Sequence, residues 1–207
     1  MVVDFVAVNP GICAALEEAF RPVAPGSTVY CTRFEEVVDE YDIMVAAANS
    51  FGLMDGGIDA AITAYFGEAL KYEVQRRIVH EFQGEQPVGT CILVPIESER
   101  PTRWLAHTPT MQVPLDIRGT PNVYFAMKAL LREVAAREDE LRHALGGDDP
   151  RVLCPALGTG TGEVPPAEAA RQMALAFRNH VDAPTGDLSW DLALRRYTEL
   201  FFPALDA

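Results

Sequence analysis

Short apolar runs alternate along this chain with stretches in which apolar positions recur at helical spacing. Val2–Val8 is rich in valine and reads as a buried strand. Asn9-Pro10-Gly11 ends it, and Ile12, Leu16 and Phe20 then share one helical face with Glu17 and Glu18 outside. Thr28–Thr32 predicts a second strand and Tyr41–Ala48 a third. Ile43 to Ala48 is apolar throughout, which suits a central strand covered on both faces. A glycine-rich turn, Gly52 to Gly57, leads into a long amphipathic helix, about Ile58–Phe82, with Gly67 as its candidate break.

Val88–Ile96 and Arg103–Thr108 read as further strands. Tyr124, Met127, Leu130, Leu131 and Val134 line one face of a helix over Val123–Ala136. Gly146 to Pro150 is a loop, Arg151–Leu157 a strand, and Gly158 to Gly162 a second glycine-rich turn. Pro165-Pro166 opens a helix that runs through Phe177, as proline in a first helical turn should. The alternation predicts an α/β domain over residues 1–182, with a mostly parallel sheet covered by helices. Ala183–Ser189 reads as a linker. Trp190, Leu194, Tyr197, Leu200 and Phe201 recur at helical spacing, so residues 183–207 are expected to be linker plus a helix packed on the domain. A helix offered to a partner is the alternative.

The length of 207 residues fits one domain with a core large enough for a shaped pocket. Seventeen basic against thirty acidic side chains leave a net charge of −13. That balance argues against long nucleic acid and anionic membranes as partners. No apolar run is long enough for a membrane helix, and Met1 to Asn9 carries Asp4 and no basic residue, unlike a signal peptide. The expected location is the cytoplasm. Cys13, Cys31, Cys91 and Cys154 are scattered, with no CxxC, and read as small buried hydrophobes. No metal site and no cofactor are called for.

Chemistry in such a fold belongs where strands end and helices begin. Both glycine-rich turns lie there. Glycines let the backbone approach a ligand and turn N–H groups inward, and a helix N-terminus adds the positive end of its dipole. Two facing loops suit a diphosphate. No GxxxxGK[ST] and no GxGxxG after the first strand is present. Asn49 closes an apolar strand and Asp59 opens the next helix; an amide and a carboxylate together suit sugar hydroxyls. Taken singly, Asn49 also reads as a turn former and Asp59 as a helix-dipole partner. His107 has only its ordinary titration range to suggest catalysis, and reads as structural.

The stretch Ala46-Ala47-Ala48-Asn49-Ser50-Phe51-Gly52-Leu53-Met54-Asp55-Gly56-Gly57-Ile58-Asp59-Ala60-Ala61-Ile62 resembles the first ligand loop of macro domains, the ADP-ribose-binding modules. Ala106-His107-Thr108 resembles that family's Ile-His-Thr strand. Cys154-Pro155-Ala156-Leu157-Gly158-Thr159-Gly160 resembles its second loop, and Pro166 to Ala170 the helix that follows. The match runs in order from about Val29 to Phe177 and looks closest to a bacterial or phage-type branch. The resemblance implies a three-layer α/β/α sandwich with a mixed, mostly parallel central sheet. It implies that Ala48, Asp55, Gly56, Gly57 and Ile58 contact ligand, with N–H groups of Gly56, Gly57 and Ile58 on the diphosphate. Gly158, Thr159, Gly160, Thr161 and Gly162 would wrap its other side. Asn49 and Asp59 would hold the distal ribose and, in hydrolytic branches, act as the catalytic pair.

The chain departs from the family pattern at several points. Thr32-Arg33-Phe34-Glu35 stands where a Gly-Asp-Ile-Thr stretch normally binds adenine. Asp55 interrupts the glycine run, Thr63 replaces a frequent histidine, and Glu163-Val164 stand about where an aromatic covers the distal ribose. Val2 to Phe20 matches poorly and is a candidate source of the missing purine contact. Three readings follow: a hydrolase of ADP-ribosyl adducts, a non-catalytic reader of ADP-ribose or a related nucleotide, and a phage accessory protein that keeps the fold without the ligand. From Ala46 to Ile62 and from Val152 to Ala170 there is no Lys or Arg. A diphosphate held there rests on backbone N–H groups, so few counterions are released on binding. Its affinity, followed by calorimetry over a salt series, is expected to fall only weakly with ionic strength; a steep fall contradicts this.

Overall fold

The computed structural model describes residues 1–202; residues 203–207, the end of the tail segment, lie outside the described residues. The strands are β1 (Val2–Val6), β2 (Val29–Tyr30), β3 (Ile43–Asn49), β4 (Ile92–Pro95), β5 (Trp104–Met111) and β6 (Arg151–Pro155). The helices are α1 (Pro10–Phe20), α2 (Gly57–Phe66), α3 (Glu68–Phe82), α4 (Asn122–Ala136), α5 (Glu138–Ala144), α6 (Pro166–Val181) and α7 (Trp190–Phe201). One mixed six-stranded sheet has the order β2-β1-β6-β3-β5-β4. Every pairing is parallel except β4 with β5.

Side chains alternate across β3. Ile43 and Val45 enter one core with residues of α1, α4 and α6. Met44, Ala46 and Ala48 enter the other with residues of α2 and α3. Both faces of the sheet are therefore covered, giving three layers. This explains the unbroken apolar run: a strand buried on both faces has no solvent side to make polar.

Several boundaries differ from the sequence reading. Gly67, at φ +100°, separates α2 from α3, its N–H bonding to the Thr63 carbonyl at 2.8 Å. β4 begins at Ile92, because Pro87 to Thr90 form a turn with Gly89 at φ +88°. β5 continues through Pro109 to Met111. Its register with β3 shifts between Ala48 and Asn49, so Ala48 faces Pro109 while Asn49 faces Met111. Proline has no N–H for a ladder, and an irregular register is where an inner strand tolerates it. Three cysteines are buried, but Cys31 is exposed beyond the two-residue edge strand β2.

The tail helix α7 is started by the Ser189 hydroxyl, which accepts from the Leu192 N–H. At its far end the Arg171 guanidinium donates to the carbonyls of Glu199 and Leu200, at 2.9 and 3.1 Å. A cation there satisfies open carbonyls and complements the dipole. Only Leu200 of this helix enters the core; Trp190 is 90 % exposed, and Leu194, Tyr197 and Phe201 are exposed too.

A buried polar pair ties β1 to the approach of β3. Asp4 accepts from the Thr28 N–H at 2.6 Å and from the Tyr41 hydroxyl at 2.7 Å. Arg151 lies over the Tyr41 ring, 4.6 Å from its centre. Tyr41→Phe keeps the ring but leaves one Asp4 oxygen buried without its donor. The expected loss is about 1–3 kcal/mol, read by denaturant unfolding.

Candidate functional site

β1 connects outward to β2, whereas β3 connects through α2 and α3 to β4 on the opposite side. The connections diverge around β6, and a crevice opens at the carboxyl ends of these strands, as α/β topology dictates. It is a cleft of about 490 Å³. Every residue named by the sequence as a ligand contact lines it: Ala48, Asn49, Asp55 to Asp59, and Gly158 to Gly162. The segment Thr32 to Glu35 and the β1–α1 junction, Val6 to Val8 with Ile12, line it as well. The poorly matching N-terminal region thus forms a wall of the same cleft. His107, by contrast, is not a lining residue.

The first loop is anchored from below. Gln75 donates to the Gly52 carbonyl at 3.0 Å, and Thr63 donates to the carbonyls of Met54 and Asp59, each at 3.0 Å. Thr63 thereby clamps the loop to the first turn of α2. The glycines divide into two kinds. A Cβ on Gly56 meets nothing within 4 Å, and Gly56 has extended backbone that any residue adopts. Its lack of a side chain leaves the cleft open. Gly158 has φ +73°, and a Cβ there would lie 2.6 Å from Val123; one on Gly162 would lie 2.6 Å from the Gly158 carbonyl oxygen. Gly158 is a glycine because the second loop packs against Val123 of α4, and Gly162 because the loop also folds tightly on itself.

Free donors line both loops. Among the described residues, the N–H groups of Gly57, Ile58 and Asp59 donate to no backbone carbonyl, as expected at a helix start. The same holds for Thr159, Gly160, Thr161 and Gly162. Arg33 is the one cationic side chain among the lining residues, and it bonds Glu35 at 2.6 Å. The cleft therefore presents anion-binding capacity as backbone dipoles.

Asn49 is 8 % exposed and accepts from the Phe51 N–H at 3.0 Å through Oδ1. That bond fixes its amide and leaves Nδ2 as the donor. Asp59 is 6 % exposed, and its Oδ1 has no hydrogen-bond partner. It sits in the first turn of α2, where the helix dipole favours a negative charge. Burial opposes this, the charge of Asp55 adds to the opposition, and together they push the carboxyl up to about 7. Desolvation outweighs the dipole. The folded state thus holds this proton more tightly than the unfolded chain, so the side chain costs stability as pH rises from the ordinary aspartate range through about 7.

His107 is fully buried and pushed down to about 3 by desolvation, so it is neutral. Gln86 Nε2 donates to the His107 carbonyl at 3.2 Å, which leaves Gln86 Oε1, 2.7 Å from Nδ1, as the acceptor of that ring proton. The histidine holds the segment before β4 against β5. Among the described residues, no group of three His, Cys, Asp or Glu side chains is placed to hold a metal ion.

Some cleft residues escaped the sequence reading. Thr110, Met111 and Pro114 also line it. Thr110 and Met111 lie on the part of β5 beyond Pro109, where a proline hides the strand.

The Macro domain profile matches residues 45–173. An uncharacterised protein of Aquifex aeolicus is 33% identical over 137 residues, covering 66% of this chain and 73% of that protein. One of Aeropyrum pernix is 30% identical over 135 residues, covering 65% of this chain and 62% of that protein, so the chain spans less than two thirds of this second relative. Among solved structures, the macrodomain of Mycobacterium tuberculosis DarG superposes with a TM-score of 0.52 at 16% identity, covering 67% of this chain and 82% of that one. A mutant macrodomain of Oceanobacillus iheyensis gives 0.50 at 22% identity, covering 80% and 83%. The structural likenesses agree with the three-layer fold described above, and the profile match spans more than half of the sequence: the chain belongs to the Macro domain family.

Proposed function

We propose that the cleft binds ADP-ribose or a derivative and hydrolyses ADP-ribosyl adducts. The observation that carries this reading is Asp59: a buried carboxylate with an oxygen that no protein donor reaches, in the wall of a cleft edged by free N–H groups. A buried acceptor without a partner costs free energy unless a ligand supplies the donor. A ribose hydroxyl supplies it. The open N–H groups at the start of α2 and in the second loop suit a diphosphate. Asn49 Nδ2 is the neighbouring donor for the distal ribose or for a water.

In this reading the protein works by position. The diphosphate is gripped from two sides and the distal ribose is held by Asn49 and Asp59. A water between phosphate and ribose then attacks the anomeric carbon, and fixed dipoles stabilise the charge that develops. Ionised Asp59 orients the ribose or the water. The attacking water gives up a proton to solvent, and the adduct's leaving group departs with the bonding electrons and takes a proton from solvent.

A non-catalytic reader is the second reading. Phe34 is the one aromatic side chain among the lining residues, and it belongs to the segment after β2. Glu163 is exposed and is not among them, so no aromatic of the second loop covers the distal ribose. Calorimetry with ADP-ribose combined with a turnover assay separates the two. Binding with turnover supports the enzyme, binding alone supports the reader, and no binding removes both.

Asp59→Ala and Asn49→Ala are expected to slow turnover by about 100-fold or more in kcat. Wild-type kcat should rise with pH through about 7, since the ionised carboxylate is the working form. Asp59→Asn should lack that limb. Full activity in both alanine variants contradicts the assignment. Gly56→Val should leave stability within about 0.5 kcal/mol of wild type, because its side chain enters open cleft, yet lose ADP-ribose affinity at least about tenfold. Gly158→Ala should instead destabilise the fold by about 1–3 kcal/mol through overpacking against Val123.

A further inference from the structure

Two thiols that play no part in the chemistry above meet next to lining residues of the cleft. Cys13 follows Ile12 on α1, and Cys31 precedes Thr32 beyond β2; Ile12 and Thr32 both line the cleft. The two Sγ atoms are 2.6 Å apart, and both cysteines are free. Eighteen positions separate them in sequence, and the β1-α1-β2 unit brings them together. Their environments differ in a useful way. Cys31 is exposed and open to a reagent in solvent. Cys13 is buried, and burial, followed by its contact with Cys31, pushes its thiol up to about 12. Cys91 and Cys154 are buried, their thiols face the carbonyls of Ile92 and Pro155, and desolvation is the leading cause that pushes both up.

We propose that Cys13 and Cys31 form a thiol–disulfide site that is oxidised by low-molecular-weight disulfides and fixes the β1–β2 side of the cleft. The reaction balances in two exchanges. The Cys31 thiolate attacks one sulfur of a small disulfide, RSSR, forming a mixed disulfide and expelling one thiolate, RS⁻. Cys13 then gives up its proton and attacks Cys31 Sγ, forming the Cys13–Cys31 bond and expelling the second thiolate. The protein loses two electrons, and RSSR gains them to leave as two RSH. Exposure selects Cys31 for the first step, because the reagent must reach it. Contact selects Cys13 for the second. Its high pKa leaves little thiolate, and held contact offsets that by making the attack intramolecular.

The placement of the pair gives the bond a consequence. Thr32 to Glu35 follow Cys31 directly, and Ala7, Val8 and Ile12 precede Cys13; all of them line the cleft. Cys13 Sγ also lies 3.4 Å from the Ala7 carbonyl oxygen. A covalent bond between the two sulfurs joins these two stretches of wall and holds the gap between them. A ligand that needs them to adjust is bound differently in the two redox states. This half of the proposal rests on the ligand reading above.

The test uses the full chain. It is incubated with oxidised glutathione under native conditions, digested, and read by mass spectrometry. The expected product is a Cys13–Cys31 linked peptide, with Cys91 and Cys154 left as thiols, and dithiothreitol restores the free pair. Cys13→Ser should stop at a glutathione adduct on Cys31. Unreacted thiols in the wild type, or a persistent glutathione adduct on wild-type Cys31, overturn the site. Calorimetry then compares ADP-ribose binding to the oxidised and reduced protein. At least a threefold difference in Kd is expected, and it should vanish in Cys13→Ser/Cys31→Ser treated in the same way. Equal affinities in the wild type overturn the link to the cleft. If the disulfide forms but ADP-ribose binds in neither state, the ligand reading falls and the thiol site stands.

Discussion

β3 is held on four sides, and the cleft hangs from its carboxyl end. β6 and β5 pair with its edges, and a hydrophobic core covers each face. A one-residue slip would exchange Ile43 and Val45 with Met44 and Ala46 between two cores of different shape. The strand is therefore fixed in register until Ala48. There the pairing with β5 shifts at Pro109, a residue with no N–H to donate. Such irregularities re-aim the side chain that follows. That side chain is Asn49, and the Asn49 Oδ1 bond to the Phe51 N–H turns the chain into the first loop. The loop then reaches α2, whose first turn carries Asp59. One rigid strand thus sets the positions of both polar residues at the centre of the cleft.

The electrostatics of the cleft follow from the same economy. An acidic chain with a net charge of −13 has no cationic side chain to spare at these loops, and Arg33 is engaged with Glu35. What the cleft offers an anion instead is N–H groups that the start of α2 and the second loop leave open. Such dipoles are fixed in place and attract a phosphate without drawing in a long polyanion. Asp59 lies within this positive region and is still pushed toward neutrality, since dehydration of its carboxylate outweighs the dipole and Asp55 adds its own charge. A group balanced in this way changes its ionisation near neutral pH, where a small shift in surroundings alters its state.

Much of the fold was legible because its signals are local or periodic. The continuous apolar run of β3 and the helical spacing of α4 report how many faces each element buries, and the proline-led start of α6 marks where that helix begins. The cleft was legible through its glycines and through the spacing of Asn49 and Asp59. Where the sequence misled, a non-local contact had settled the matter. Pro109 reads as the end of a strand, yet β3 holds β5 together beyond it. All four cysteines read alike, yet the edge position of β2 leaves Cys31 in solvent. The apolar stripe of α7 reads as a buried face, yet only Leu200 reaches the core.

By itself the sequence determined the order of the elements, the two glycine-rich turns and the residue types that edge the cleft. Those depend on side-chain pattern and backbone freedom over a few neighbours. Tertiary structure decided which glycines are open and which are packed, since Gly56 and Gly158 look the same in one dimension and differ only in what stands opposite. It decided that Asp59 lacks a partner and titrates near neutrality, because burial and the approach of Asp55 are properties of the folded surface. It also placed Ile12 and Arg33 of the N-terminal unit in the wall of the same cleft, with two touching thiols beside them. No local pattern encodes these facts: they arise where the strand ends of a twisted sheet bring distant segments side by side.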